Sequence, residues 1–203
     1  MAVKRGASYR ELQALATRER IAAAARTLFR ERGYVATTIE VIAETAGVAV
    51  PTVYSALGSK KAILEEIRRL WIQDSQVQPL FVEALSEPDL NRRLELAARW
   101  QRLQLERGYD VIRIYHEAAR ADADIHAMWS EVLKGRAREK RRFIEALVDG
   151  LQPGLVVKDA TDIYVALERP EIYGELVLER GWSPEQYERW LAKTLQQQLL
   201  GGS

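Results

Sequence analysis

The sequence predicts an all-α protein, with a small three-helix module at its amino end and a larger helical part behind it. Two observations carry that expectation. Apolar residues return at intervals of three and four along most of the 203-residue chain, the spacing of one helix face, and no stretch alternates apolar with polar residues as a half-buried strand would. Punctuation by Gly33, Gly47, Pro79, Pro88, Gly108, Gly150, Pro153, Gly154, Pro170, Gly181 and Pro184 cuts the chain into helix-length pieces.

The first piece runs from Thr17 to Phe29, with Thr17 as its cap, Ile21, Ala24, Ala25, Leu28 and Phe29 on one face, and Gly33 as its stop. Residues 1–16 ahead of it, with Lys4, Arg5 and Arg10, are expected to form a flexible basic arm. A second helix starts where Thr37 or Thr38 caps the open amides, Glu40 being placed to close a capping box with Thr37. Its inward residues are Ile39, Ile42, Ala43 and Ala46, and Gly47 supplies the left-handed residue of a tight turn.

A third helix follows at Ala49 or Val50, because Pro51 is tolerated only in a first helical turn. Val53 and Leu57 face inward, while Val50, Thr52, Ser55 and Ala56 face outward. Small outward residues let a helix sit deep in a major groove, where hydroxyls bond base edges and methyl groups touch thymine. Tyr54 and Lys60 at the edge of that surface suit phosphate contacts. The spacing thus points to a helix-turn-helix that binds double-stranded DNA.

Charge agrees with this placement. Residues 1–70 hold 12 Lys or Arg against 7 Asp or Glu, whereas residues 71–203 hold 18 against 22, so the excess of positive charge lies at the front. Cysteine is absent, which excludes disulfides and thiolate metal sites and suits a reducing cytoplasm. No apolar run approaches the roughly 20 residues that span a bilayer, and nothing resembles a signal peptide.

Beyond Lys60, residues 59 to about 76 read as a connecting helix and 89–106 as a central helix with two apolar sides. Helices over 109–121 and 123 to about 149 follow, the latter crowded with Arg136, Arg138, Lys140, Arg141 and Arg142, a run that reads as a solvated face. Near the end, Ile172, Tyr173, Leu176 and Val177 form one apolar stripe. Ser183 caps a last helix with Pro184 in its first turn and Gln186 closing the box, and Tyr187, Trp190, Leu191, Thr194, Leu195 and Gln198 recur along it at near-heptad spacing. Both stripes suit either a dimer interface or packing within one chain.

The order Gly33-Tyr34, Thr37-Thr38, Ile42-Ala43, Ala46-Gly47-Val48, Thr52-Val53-Tyr54, Ser59-Lys60 and Leu64 closely resembles the TetR family of transcriptional regulators over the first third of the chain. The runs 164–173 and 179–187 resemble one regulatory-domain branch of that family. Here Ala49 stands where the family often has Ser, Pro51 where Gly is frequent, Ala56 where a ring or His often meets phosphate, and Leu57 where Phe is usual. These departures shift the implied phosphate grip onto Thr38, Tyr54 and Lys60.

The resemblance implies a DNA-binding domain over 17–60 and a regulatory and dimerisation domain over 61–203. It implies a homodimer formed through Ile172, Tyr173, Leu176, Tyr187, Trp190, Leu191, Thr194 and Leu195. Two reading heads would then meet a palindromic operator roughly 34 Å apart. The implied DNA contacts are Thr37, Thr38, Val50, Pro51, Thr52, Tyr54, Ser55 and Lys60. A small organic effector would enter the regulatory helices, for which Trp71, Trp100, Gln101, Tyr115, His116, Met128 and Trp129 combine apolar bulk with polar tips. A pendulum-like shift of residues 59–76 would link effector to DNA.

Repression is the expected sign, although activation requires only a different operator position. No cofactor and no metal is expected. The competing classes are a helical-bundle enzyme and a protein-binding adaptor. Against the enzyme stand the two His ten residues apart, the missing Cys, and the lack of a nucleophile elbow or phosphate-binding glycine loop. An adaptor leaves the small outward face of the Thr52 helix without a purpose.

Overall fold

The computed structural model describes residues 8–74 and 78–201. Among these described residues ten α-helices follow one another: α1 Tyr9–Arg32, α2 Ile39–Ala46, α3 Val50–Leu57, α4 Lys60–Asp74, α5 Gln78–Ser86, α6 Leu90–Ala121, α7 Ala123–Glu145, α8 Val157–Leu167, α9 Pro170–Tyr173 and α10 Pro184–Leu199. Among the described residues there is no strand, only an isolated bridge between Leu151 and Leu200. The chain divides into two compact units, 1–73 with 110–126 and 74–109 with 127–203.

In the first unit α1 begins at Tyr9, eight residues ahead of the expected start at Thr17. Ser8 explains this: its hydroxyl accepts from the Glu11 amide while the Glu11 carboxylate accepts from the Ser8 amide, a complete capping box. Residues 9–16, expected in the arm, are therefore helical, and Lys4 and Arg5 lie outside the described residues. Ile21, Ala22, Ala25, Leu28 and Phe29 of α1 are buried with Ile42 and Ala43 of α2, Val53 and Leu57 of α3, and Ile63, Leu64, Ile67 and Trp71 of α4. Each large apolar side chain so buried contributes roughly 1.5–3 kcal/mol. Gly47 ends α2 at φ 63°, ψ 41°, the left-handed turn expected of it.

In the second unit α5 is an addition to the expected elements. Its Pro79 sits in the first turn, where a missing amide costs nothing. The expected break at Gly108 is a kink within one continuous helix α6, with Gly108 at φ −149°, ψ 16°. The helix expected over 123–149 stops at Glu145, and a 3-10 turn occupies Val148–Gly150. Ser183 caps α10 as expected, accepting from the Gln186 amide at 3.1 Å. A π-helical turn, Gly174–Glu179, follows α9. Gly174 leaves room there for the Tyr109 hydroxyl, which a Cβ would meet. Among the described residues no helix is long and apolar enough to cross a membrane.

Candidate nucleic-acid interface

The outward side of α3 follows from which of its residues the core takes. Val53 and Leu57 are buried, so Pro51, Tyr54 and Ser55 are exposed and Val50, Thr52 and Ala56 half-exposed. Tyr54 keeps 51% of its surface in solvent, and Ser55 turns its hydroxyl back on the Thr52 carbonyl at 3.1 Å. Ala49 gives α3 no side-chain cap; Pro51 has no amide N–H, and the Thr52 and Val53 amides donate to the Ala49 carbonyl at 2.8 and 3.3 Å. Thr38 caps α2 beside it, its hydroxyl accepting from the Val41 amide at 3.4 Å.

Two expected contact residues are placed elsewhere. Thr37 is 1% exposed and donates its hydroxyl to the Gly33 carbonyl at 2.7 Å, so the alternative cap is Thr38 and the Thr37–Glu40 box does not form. Lys60 turns inward from the start of α4. Its ammonium donates to the carbonyls of Tyr34 (2.6 Å) and Thr37 (2.9 Å), with that of Val35 at 3.5 Å, and stands 4.2 Å from the centre of the Tyr34 ring. Burial lowers its pKa, opposed by the nearby Glu117 carboxylate. An ammonium has three donors, and all three point at this turn.

Further polar ties in this unit were not evident in the sequence. Glu66, 3% exposed, takes bidentate hydrogen bonds from Arg69 at 2.9 and 2.8 Å and a bond from Arg18 Nη2 at 3.2 Å. Hydrogen bonds from Arg69, then from Arg18, hold its carboxyl at a pKa of about 2 against the opposing effect of burial. The same Arg18 donates through Nη1 to the Ala56 carbonyl in the last turn of α3 at 3.1 Å. Arg26 and Asp110 form a second bidentate pair at 2.7 and 2.6 Å. Glu117 accepts from the Tyr34 amide at 2.8 Å.

The expected effector residues fall in both compact units: Trp71, Tyr115 and His116 in the first, Trp100, Gln101, Met128 and Trp129 in the second. Tyr115 is fully buried, donates its hydroxyl to the Leu64 carbonyl at 3.1 Å, and has its pKa pushed up to about 12, chiefly by burial. Trp71 is likewise core of the first unit. In the second unit Gln101 donates to the Glu168 carbonyl at 2.6 Å, and Trp100 packs its ring 5.7 Å from that of Phe81. Two grooves on this unit, of about 760 and 480 Å³, are lined by none of the expected effector residues.

A buried polar cluster in the second unit escaped the sequence reading. Glu168 is 1% exposed and pairs with Lys140 Nζ at 3.0 Å, so one member of the basic run expected in solvent serves the core instead. Arg136, from the same run, donates to Gln104, while Arg138, Arg141 and Arg142 are exposed. Burial, then the Glu168 charge, raises the Tyr164 and Tyr187 pKa values far above the ordinary phenol. Among the described residues the buried Tyr187 hydroxyl and Trp100 indole N–H have no hydrogen-bond partner. One signal was available: Ala160, Tyr164 and Glu168 are four residues apart, which puts a carboxylate on the inward stripe of α8.

The expected dimer residues divide in the same manner. Tyr173, Tyr187, Leu191 and Leu195 are buried within the single chain, Tyr187 against Tyr173 edge to face at 5.0 Å. Ile172, Leu176, Trp190 and Thr194 remain half-exposed.

Residues 21–67 match the family model of bacterial regulatory proteins, tetR family. No curated protein matches the chain. Among solved structures it is similar to NalD, the secondary repressor of the MexAB-OprM multidrug efflux pump in Pseudomonas aeruginosa, with 22% identity over 93% of this chain and 98% of that one, TM-score 0.71. The SmeT–triclosan complex aligns at 18% identity over 93% of each chain, TM-score 0.73. The ketosteroid transcriptional regulator KstR2 of Mycobacterium tuberculosis aligns at 18% identity over 91% and 95%, TM-score 0.67. At these identities the likeness establishes the fold.

Proposed function

We infer that this chain, whose residues 21–67 carry the amino-terminal domain of the tetR family of bacterial regulatory proteins, is a cytoplasmic transcriptional repressor. As a dimer it binds a palindromic operator, and a small organic effector releases it. The observation that carries the reading is the outward side of α3. That side is small apart from Tyr54 and carries no side-chain cap, whereas its inward side is held by the core. Thr52, Ser55, Val50 and Pro51 are the proposed base-facing residues, and Tyr54 and Thr38 the proposed phosphate contacts.

Release follows if the effector binds better to the form whose two heads are wrongly spaced for the operator. The proposed effector-binding part is the second unit, with Trp100, Gln101, Met128 and Trp129 as lining. The triclosan complex of one structural neighbour supports a small organic molecule as the effector class. Of the proposed interface residues, Ile172, Leu176, Trp190 and Thr194 keep surface for a partner subunit once the intrachain core is complete.

The test is capture of sheared genomic DNA at near-physiological salt, followed by sequencing, with Tyr54→Ala as control. Enrichment of a few palindromes by the native protein and not by the variant is the expected result. Uniform capture, or none, overturns the operator reading. Sedimentation of the free protein as a monomer at micromolar concentration overturns the dimer.

A further inference from the structure

Helices α2 and α3 are eight residues each, too short to be stable by themselves, so their placement depends on what holds their ends. Both ends of the pair are held by charged side chains anchored outside it. At the far end, the Ala56 carbonyl lies in the last turn of α3, where backbone acceptors have no partner within the helix. Arg18 of α1 fills that place at 3.1 Å. Its guanidinium would otherwise sample many rotamers on a half-exposed stem. Glu66 of α4 fixes it, and Arg69 in turn fixes Glu66.

At the near end, the turn from α1 into α2 is held from two sides. Lys60 takes its carbonyls, and Glu117 of α6 takes the Tyr34 amide at 2.8 Å. Gly33 belongs to this arrangement. Its φ is 84°, and a Cβ there would lie 2.6 Å from Glu117 Oε1, so the carboxylate approaches the turn only because residue 33 has no side chain.

We propose that Glu66 and Glu117 are positioning residues for DNA reading, setting through Arg18 and through the Tyr34 amide the angle at which α3 meets the groove. The proposal rests on the operator-binding reading above. Neither carboxylate contacts DNA, which repels both. They lie on α4 and on the carboxyl-terminal half of α6, so a displacement of α4 reaches α3 through Arg18 and the Ala56 carbonyl, and a displacement of α6 reaches the turn into α2 through the Tyr34 amide.

Positioning and plain electrostatics predict opposite signs. Removing a negative charge from a basic unit favours every duplex, through the phosphates, whatever its sequence. Loss of a positioning contact weakens only the duplex whose bases are read. The probe is a duplex selected from a randomised library by the native protein, with a scrambled duplex of equal composition beside it, both titrated over a salt series. Selection by the native protein is read first. If it selects nothing, the operator reading fails, and this proposal with it.

For Glu66→Gln and Glu117→Met the expected result is roughly tenfold weaker binding of the selected duplex, the size of one misplaced base contact, with scrambled-duplex affinity unchanged or higher. The salt slope stays native, because no phosphate contact is removed. Equal tightening on both duplexes, equal weakening with a shallower slope, or no change overturns the proposal. Should Glu66→Gln fail to fold by circular dichroism, Arg18→Lys keeps the charge and the buried Glu66–Arg69 pair while removing the fork that bridges carboxylate and carbonyl. It is expected to lose discrimination to the same degree, and native discrimination in that variant overturns the Glu66 arm.

Discussion

The two compact units differ in how a buried carboxylate is paired. In the first, Glu66 is held by two guanidinium groups, Arg69 and Arg18, and Arg18 also donates to the Ala56 carbonyl at the end of a short helix. In the second, Glu168 pairs with Lys140 at 3.0 Å. Main-chain carbonyls at helix ends lack partners within the helix, and both units meet them with arginine, the second through Arg93, which donates to the carbonyls of Glu87 and Ala146 at 2.8 and 2.6 Å. The difference lies in redundancy: a carboxylate between two guanidinium groups keeps one when the other is removed, whereas loss of Lys140 takes from Glu168 the cation it pairs with.

If that contrast is right, breaking the buried pair on one side has the largest effect. Lys140→Ala leaves the Glu168 carboxylate in the core without its cation, at an expected cost of about 3–5 kcal/mol in chemical denaturation. The double variant Lys140→Met, Glu168→Gln should recover most of that loss. A Lys140→Ala melting curve that matches the native one would mean that Glu168 reaches solvent, and the contrast between the units would fail.

Acid comes next in size. Glu66 has its carboxyl pKa held at about 2, below the ordinary 4.5, chiefly by the Arg69 hydrogen bonds. A group whose folded pKa is depressed contributes stability above its unfolded pKa and loses it as pH falls through the folded value. The contribution is therefore complete at neutral pH and declines between about pH 4.5 and 2. Glu66→Gln should flatten that acid limb of the Tm profile. An unchanged limb would assign it to other carboxylates.

Gly33→Ala combines an unfavourable φ with a Cβ pressed on Glu117, for an expected loss of roughly 1–3 kcal/mol. Repeating Gly33→Ala in a Glu117→Ala background sharpens the reading, since there the collision is gone, the lost Tyr34 amide bond is common to both variants, and the backbone strain is what remains. Equal losses for Gly33→Ala in the native and Glu117→Ala backgrounds would show that the collision carries no energy.

What the sequence disclosed depends on the range of the interaction. Local signals were enough for the turn at Gly47, the cap at Ser183 and the inward Val53 and Leu57, because each is decided within one or two turns of helix, and at Gly108 they gave the place of a kink but not the continuity of α6 across it. Pairs such as Arg18–Glu66 and Tyr34–Glu117 join residues 48 and 83 positions apart, and no periodicity reports them. Lys60 looked like a phosphate ligand because a lysine in a sequence does not disclose that carbonyls await it. The α10 stripe was ambiguous for another reason: a helix that packs on its own chain and one that packs on a partner bury the same spacing of Tyr, Leu and Trp. Ser8 was missed although its Ser-x-x-Glu signature was present, since Thr17 offered a second start nearer the core.

The smallest effect concerns the aromatic wall of the second unit. The Tyr187 hydroxyl is buried without a partner among the described residues, and Tyr173 at 5.0 Å and Trp190 at 5.9 Å pack against the ring. Tyr187→Phe keeps those ring contacts and removes only a desolvated hydroxyl, so it should stabilise the protein by about 1 kcal/mol. Phe at this position would then be the better choice for packing alone. The check is a denaturation curve. Destabilisation would mean that the hydroxyl is satisfied in solution, leaving Glu168 and Lys140 as the polar feature that distinguishes the second unit from the first.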